Sequence, residues 1–129
     1  MKYLCLVFID EKKLEAMSAS EAQSLDDESL TYDDTLRQGG HLIAAQALQL
    51  SRSAATVRVR RSKALVTDGP FAETKEQVGG FILIEARDLK KAVQLASKIP
   101  VARLGAIEVR AVKELTRSNA RSGQAGVSI

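Results

Sequence analysis

The sequence contains one cysteine, one histidine and no tryptophan, and these shortages exclude several kinds of site. The single Cys5 cannot form an intrachain disulfide, and a free cysteine in an apolar run is usually a small buried side chain. One cysteine and one histidine far apart in sequence make no zinc pattern. Phosphate-binding glycine loops and dinucleotide fingerprints are missing as well. We therefore expect no metal, no cofactor and a cytoplasmic location.

Long hydrophobic runs and aromatic residues are also scarce. The N-terminal apolar run, residues 3–9, ends at Asp10 and is too short for a membrane span or a signal segment, so no membrane partner is expected. With three Phe and two Tyr, the core must be built from Leu, Ile, Val and Ala.

The charges are divided unevenly along the chain. Residues 1–51 hold four of the 19 basic side chains and nine of the 16 acidic ones, and the remaining basic residues lie beyond them. Such a division is typical of an acidic helix face opposite a basic surface, or of a self-complementary contact between copies. Ordinary solvated charge on opposite faces is the alternative.

Two helices are marked by their ends. Ser18 and Glu21 form a capping-box pattern, and Gly39-Gly40 ends the helix that they begin. Asp88 caps a second helix, which stops before Pro100. Residues 12–17 are expected to form a short helical turn, and the pattern predicts strands over residues 2–9, 41–50, 55–59, 63–67, 80–84 and 106–112. The Ala and Leu content of residues 41–50 leaves a helix possible there.

This order of elements predicts an α+β fold, the ferredoxin-like split βαβ arrangement with a β-hairpin inserted in its middle connection. Residues 2–9 and 80–84 are apolar on both alternating faces, although two helices can cover only one face of the sheet. A second copy of the chain would cover the other, so we expect a homodimer through the sheet face. We expect residues 1–114 to form one domain and residues 115–129 to form a polar, mobile tail.

The stretch from Val66 to Glu76, V-T-D-G-P-F-A-E-T-K-E, followed by Gly79-Gly80-Phe81, resembles the signature of the YCII-related family in its DGPF-domain branch. The closing segment from Gly105 to Arg110 agrees with the same family, and the resemblance covers about residues 1–112. It implies a dimeric α+β barrel fold. It also implies kinship with small cofactor-free enzymes such as muconolactone isomerases and dehydrochlorinases. Many relatives are encoded beside extracytoplasmic-function sigma factors, so a sigma factor is a further expected partner.

The chain departs from the family pattern in two places. The hairpin tip reads Arg60-Arg61-Ser62-Lys63 where the family usually has Asp-Gly, which makes the tip basic. Some relatives have a His–Asp pair near the first helix as a suggested acid/base dyad. This chain has no histidine there, so that role cannot be transferred.

The DGPF stretch holds the first candidate site. Asp68 is the candidate general base, Glu73 a second acid/base group, and Lys75 and Glu76 candidate binding groups. The alternative is a structural corner in which Gly69 relaxes the backbone and Phe71 anchors the loop in the core.

Three further residues lie outside this stretch. Arg58 and Arg110 are candidate anion-binding groups, with an intersubunit or intersheet salt-bridge network as the alternative. His41 is a candidate catalytic proton shuttle, although a histidine directly after Gly-Gly is more often a surface or capping residue. Tyr32 lies on the apolar stripe of its helix and is assigned to the core.

These residues predict a protein that binds a small anionic molecule, with cofactor-free proton abstraction, isomerisation or elimination as the chemistry if it is an enzyme. The rival hypothesis is a non-catalytic interaction module, such as one that modulates a sigma factor. Nucleic-acid binding is not favoured, because the basic cluster around residues 58–63 lacks aromatic side chains for base stacking.

Overall fold

The computed structural model describes residues 1–118. Its strands are β1 (Lys2–Asp10), β2 (Leu42–Ala47), β3 (Ala55–Arg60), β4 (Lys63–Asp68), β5 (Glu76–Glu85) and β6 (Gly105–Ala111). Its helices are α1 (Glu11–Glu15), α2 (Ala19–Gln38) and α3 (Leu89–Ala96), with short 3₁₀ helices at Ser51–Ser53 and Pro100–Leu104.

Four strands form one antiparallel sheet in the order β2-β5-β1-β6, and β3 and β4 form a separate two-stranded sheet. The two β-α-β halves, β1-α2-β2 and β5-α3-β6, interlock as in a ferredoxin-like fold, with β1 and β5 adjacent in the centre. The predicted α+β architecture with its inserted hairpin is therefore confirmed. No helix among residues 1–118 is both long and apolar enough to cross a membrane.

The core lies between the helices and one face of the sheet. Alternate residues of β1, from Tyr3 and Cys5 to Ile9, are buried on this face because successive side chains of a strand point in opposite directions. Leu36 of α2 and Ala92 of α3 pack against them. Burial raises the pKa of the Cys5 thiol to about 11, so this cysteine is a neutral core side chain.

Both ends of α2 follow the predicted caps. The Ser18 side chain accepts a hydrogen bond from the backbone N–H of Glu21, and the Glu21 side chain accepts one from the N–H of Ser18. At the other end Gly40 has a φ of 78°, and the N–H of His41 donates to the carbonyl of Leu36. This Schellman arrangement requires a left-handed residue, which explains the glycine.

The opposite face of the sheet is apolar and lies away from the helices. Leu4, Leu6 and Phe8 of β1 point to this side and are half-buried. In β5, Leu83 lies beside Leu4 and Phe81 beside Leu6. The strands β1 and β5 are thus apolar on both faces, as the sequence predicts. Among residues 1–118, no helix packs on the face that carries Leu4, Leu6 and Phe8.

The β3–β4 hairpin differs from the remainder of the fold because its strands are largely exposed. Its two turn residues, Arg61 and Ser62, have φ values of 51° and 66°, which is the pattern of a type I′ turn. At its base the N–H of Gly69 donates to the carbonyl of Ala54 over 2.7 Å.

Two predicted boundaries differ from the structure. The strand predicted over residues 41–50 ends at Ala47, and a 3₁₀ helix follows at Ser51–Ser53. The carboxylate of Glu11 accepts hydrogen bonds from the N–H and hydroxyl of Ser51, which draws the chain out of the sheet. The strand predicted over residues 80–84 begins at Glu76, because a β-bulge beside Val7 accommodates an extra residue. Most of the predicted tail, residues 119–129, lies outside the described residues.

Candidate functional site

The DGPF stretch leaves β4 at a sharp corner. Gly69 has a φ of 94°, a left-handed conformation that disfavours other residues, so the glycine has a structural reason to be there. The hydroxyl of Thr56 donates to the Gly69 carbonyl over 2.9 Å and ties the corner to β3. Farther along the loop, the Gln77 side chain donates to the carbonyl of Ala72 over 2.8 Å. The corner expected from the sequence is present.

The expectation that Phe71 anchors this loop in the core is wrong. Its side chain is 75% exposed. The guanidinium carbon of Arg58 lies 5.0 Å from the ring centroid, within the range of a cation–π contact. Phe71 therefore contacts the hairpin, which forms a separate and largely exposed two-stranded sheet, instead of the core.

The charged residues of the stretch do not converge within one chain. Asp68, Glu73 and Lys75 are exposed, and none of them forms an ion pair with another residue of the described chain. Glu76 is half-buried at the start of β5, where it lies opposite Asp10 of β1. Their proposed catalytic and binding roles stay predictions.

The two remaining candidates lie elsewhere in the sheet. His41 is half-buried, and its Nδ1 lies 2.9 Å from the carbonyl oxygen of Glu85, at the far end of β5 from the DGPF stretch. Since β5 runs from Glu76 to Glu85, about 30 Å separates the two ends, so His41 and Asp68 do not meet within one chain. Arg110 is exposed on β6, with its guanidinium 3.7 Å from the carboxylate of Glu108.

A cavity of about 490 Å³ lies between α2 and the helix-covered side of the sheet. Small residues from three elements line much of it: Ser29 on α2, Ala45 and Ala47 on β2, and Gly79-Gly80 on β5. Larger apolar side chains complete the wall, among them Val7, Ile9, Leu14, Leu25, Ile82 and Ile99. The volume is within the usual range for small-molecule sites, and the lining is mainly apolar with a few polar groups, as such sites usually are.

The polar groups of the cavity come mostly from α2. They are the side chains of Asp26, Ser29, Tyr32 and Asp33, with Gln46 from β2. The Tyr32 hydroxyl donates a 2.6 Å hydrogen bond to the carbonyl of Leu95. Burial raises the pKa of Tyr32, and the nearby Cys5 raises it further. Tyr32 therefore both packs against the core, as predicted, and borders the cavity.

Asp33 is the carboxyl group of this cavity with a perturbed pKa. Partial removal from water raises its pKa, the charge of Asp34 adds to the increase, and Arg37 opposes it. No Lys, Arg or His lines the cavity within the described chain, so the lining offers no cation to an anionic ligand. It suits a neutral or cationic molecule that is largely apolar and has one group able to exchange a hydrogen bond with a carboxyl.

None of the seven residues predicted as site residues lines this cavity. The sequence does contain a signal for it, because Asp26, Leu30 and Asp33 follow helical spacing beside the apolar stripe of α2. That signal is weak on its own, since an acidic helix flank is usually solvated surface. The void itself depends on small residues from three separate elements meeting in space. Within residues 1–118, no three His, Cys, Asp or Glu residues form a group that could hold a metal ion.

Two comparisons relate the chain to known proteins. A family model described as the YCII-related domain matches residues 1–116. An uncharacterized protein of Rhizobium meliloti (strain 1021) is 34% identical to it over 112 residues, which are 85% of this chain and 90% of that protein. Both findings confirm the YCII-related resemblance that the sequence motif indicates.

Proposed function

This chain belongs to the YCII-related domain family, and we propose that it binds a small, largely apolar molecule in the cavity between α2 and the sheet. The observation that carries the proposal is a cavity of about 490 Å³ in which Asp33, a carboxyl with a raised pKa, is one of a few polar groups. A pocket of this size with convergent polar groups and a perturbed carboxyl is the usual form of a small-molecule site.

Asp33 is the group best suited to acid/base chemistry in this cavity. A carboxyl whose pKa is raised can hold a proton nearer neutral pH and donate it to a carbonyl or hydroxyl oxygen. After donation, the carboxylate can accept a proton from a neighbouring carbon of the same ligand. Proton abstraction and isomerisation are the reactions that this single group supports without a cofactor.

The test uses N-phenyl-1-naphthylamine, a neutral apolar dye whose fluorescence rises when it leaves water. We expect the wild-type protein to bind it and Ser29→Leu to bind it at least about tenfold more weakly, because the leucine fills the cavity. Ser24→Leu is the matched control, since Ser24 is exposed on the same helix and does not line the cavity.

Equal binding by wild type and Ser29→Leu would place the dye on another surface and would remove the cavity from the proposal. A similar loss in both serine variants would have the same consequence, because it would point to a general effect on α2.

The DGPF loop is the second candidate site, for the small anionic molecule predicted from the sequence. The observation that favours it is the half-buried Arg58, whose guanidinium lies over the ring of Phe71 in this loop. In this proposal Asp68 is the base and Arg58 and Lys75 hold the anion. Unchanged anion binding in a folded Asp68→Asn variant and in Arg58→Gln would exclude the loop.

A regulatory role, with a sigma factor as partner, is the alternative from another functional class. The exposed basic hairpin is the feature that supports an interaction surface. We also propose that the chain forms a homodimer through its open sheet face, that it belongs to the DGPF branch of its family, and that it works in the cytoplasm. The apolar residues Leu4, Leu6 and Phe81 support the dimer, the DGPF stretch supports the branch, and the lone reduced Cys5 supports the location.

A further inference from the structure

The β3–β4 hairpin is an arm that residues 1–118 of its own chain leave uncovered. It forms a sheet of its own, and on one face Val57, Val59 and Val66 are 61%, 61% and 64% exposed. A two-stranded hairpin is at best marginally stable alone in water, and valine is a residue that sheets usually bury on at least one face. On the other face, which carries Arg58, Arg60 and Lys63, Leu65 is 53% exposed, so the arm requires a surface on which its apolar side chains can pack.

The arm is also strongly basic. Residues 54–67 contain four cations, Arg58, Arg60, Arg61 and Lys63, and no acidic residue. None of the four forms an ion pair with another residue of the described chain. Arg60 and Lys63 lie directly opposite each other in the ladder, where like charges are destabilising. The facing cations therefore lower the local stability of the arm.

The complementary surface is one side of α2, which we call the acidic flank and define as Asp26, Leu30 and Asp33. Helical spacing places the three side chains in a row beside the apolar stripe. Leu30 is 63% exposed between the two carboxylates. Neither Asp26 nor Asp33 forms an ion pair within residues 1–118. The flank therefore offers two anions for Arg60 and Lys63, and Leu30 as an apolar contact for Leu65, which lies on the same face of the arm as these cations.

We propose that the arm of one copy docks on the acidic flank of α2 in a second copy of this chain. Within one chain the arm forms neither a hydrogen bond nor an ion pair with the described part of α2, while Arg52 and Glu15 hold its base to α1 over 3.4 Å. A second copy supplies the same flank free of that constraint. Asp26 and Asp33 also line the cavity, so a docked arm lies over the cavity mouth and brings it the cations that its own lining lacks.

The test uses two charge-reversed variants of the full chain. One carries Arg60→Glu and Lys63→Glu in the arm, and the other carries Asp26→Lys and Asp33→Lys in the flank. In the flank variant both surfaces are positive, and in the arm variant two glutamates cancel the charge of Arg58 and Arg61 and face the acidic flank, so we expect self-association of each in low salt to weaken roughly tenfold. In an equimolar mixture the unchanged basic arm of the flank variant can meet the unchanged acidic flank of the arm variant, so the mixed dimer should associate more tightly than either variant does with itself.

Sedimentation velocity with fluorescently labelled chains measures these dissociation constants and does not depend on any cavity ligand. Lys90→Glu with Lys91→Glu in α3 is the matched control, because it changes the net charge as the arm variant does and should leave association unchanged. Weakening in the variants without rescue in the mixture would mean that arm and flank do not meet, and would overturn the proposal. Unchanged association in both variants, or a wild-type chain that stays monomeric, would overturn it too.

Discussion

Asp33 and Asp27 lie on the same helix but in different environments. Asp33 borders the cavity and is half-buried, whereas Asp27 is exposed and accepts a hydrogen bond from Gln23. Desolvation raises the pKa of Asp33 in the folded chain above the value in the unfolded chain, near 3.9. Folding therefore binds a proton in the interval between the two values, and stability falls as pH rises through that interval.

We expect Asp33→Asn to be more stable than the wild type at pH 7, because asparagine escapes the cost of placing a carboxylate beside an apolar cavity. The difference in stability should shrink as pH falls and vanish well below about pH 4, where Asp33 is protonated in both the folded and the unfolded wild-type chain. Urea unfolding at several pH values measures it. Asp27→Asn is the control for the same substitution at an exposed position of α2. A wild type more stable than Asp33→Asn at pH 7 would contradict the assignment.

Residues whose role is local were predicted correctly from the sequence. The Ser18–Glu21 capping box, the Asp88 cap and the Gly39-Gly40 stop depend on hydrogen bonds within one turn of chain. The structural alternative in which Phe71 anchors its loop in the core is wrong, because the burial of Phe71 depends on whether the hairpin folds back over the sheet. Asp33 was missed for the same kind of reason, since only the packed fold reveals the void beside it.

At the scale of the element, the hairpin turn has a backbone conformation that is unfavourable for the residues that occupy it. Arg61 and Ser62 both adopt positive φ, where type I′ turns prefer Asn-Gly. A left-handed conformation costs roughly 1–2 kcal/mol for a residue with a Cβ atom. The tip therefore has Arg61 and Ser62 at positions where asparagine and glycine would give a more stable hairpin.

Ser62→Gly removes one left-handed side chain and keeps every cation of the arm. We expect it to stabilise the hairpin by about 1 kcal/mol, so that amide hydrogens of β3 and β4 exchange roughly fivefold more slowly. Ser62→Ala, which keeps a Cβ atom at a φ of 66°, is the control and should not slow exchange. Slower exchange in both variants would assign the effect to loss of the serine hydroxyl instead.

At the scale of the whole molecule, the order of elements determined the architecture and the strand patterns indicated which faces are apolar. Both faces of β1 and β5 carry apolar residues, and α2 and α3 pack on one of them. The cavity could not be predicted in this way, because its volume depends on how far α2 lies from the sheet as well as on the size of residues such as Ser29 and Ala45. Sequence patterns give the direction of a side chain, while voids depend on the distances between elements.

The open sheet face predicts how a charge placed on it would affect the dimer. If a second copy covers Leu4, Leu6 and Leu83, a charge placed among them must be buried without a partner in the dimer, although it stays hydrated in the monomer. Leu6→Lys and Leu83→Lys should therefore weaken the dimer by about a hundredfold and leave the chain folded. Leu89→Lys on the exposed side of α3 is the control for the same substitution.

Sedimentation at several concentrations measures the dissociation constant of the dimer, and circular dichroism checks that each variant is folded. Mixing Leu6→Lys with any charge-reversed arm variant should restore nothing, because each mixed dimer still buries the lysine; this separates the sheet contact from the arm contact. A wild-type chain that is monomeric at micromolar concentration, or a Leu6→Lys variant that remains dimeric, would mean that the apolar face of β1 and β5 is covered by something other than a second copy.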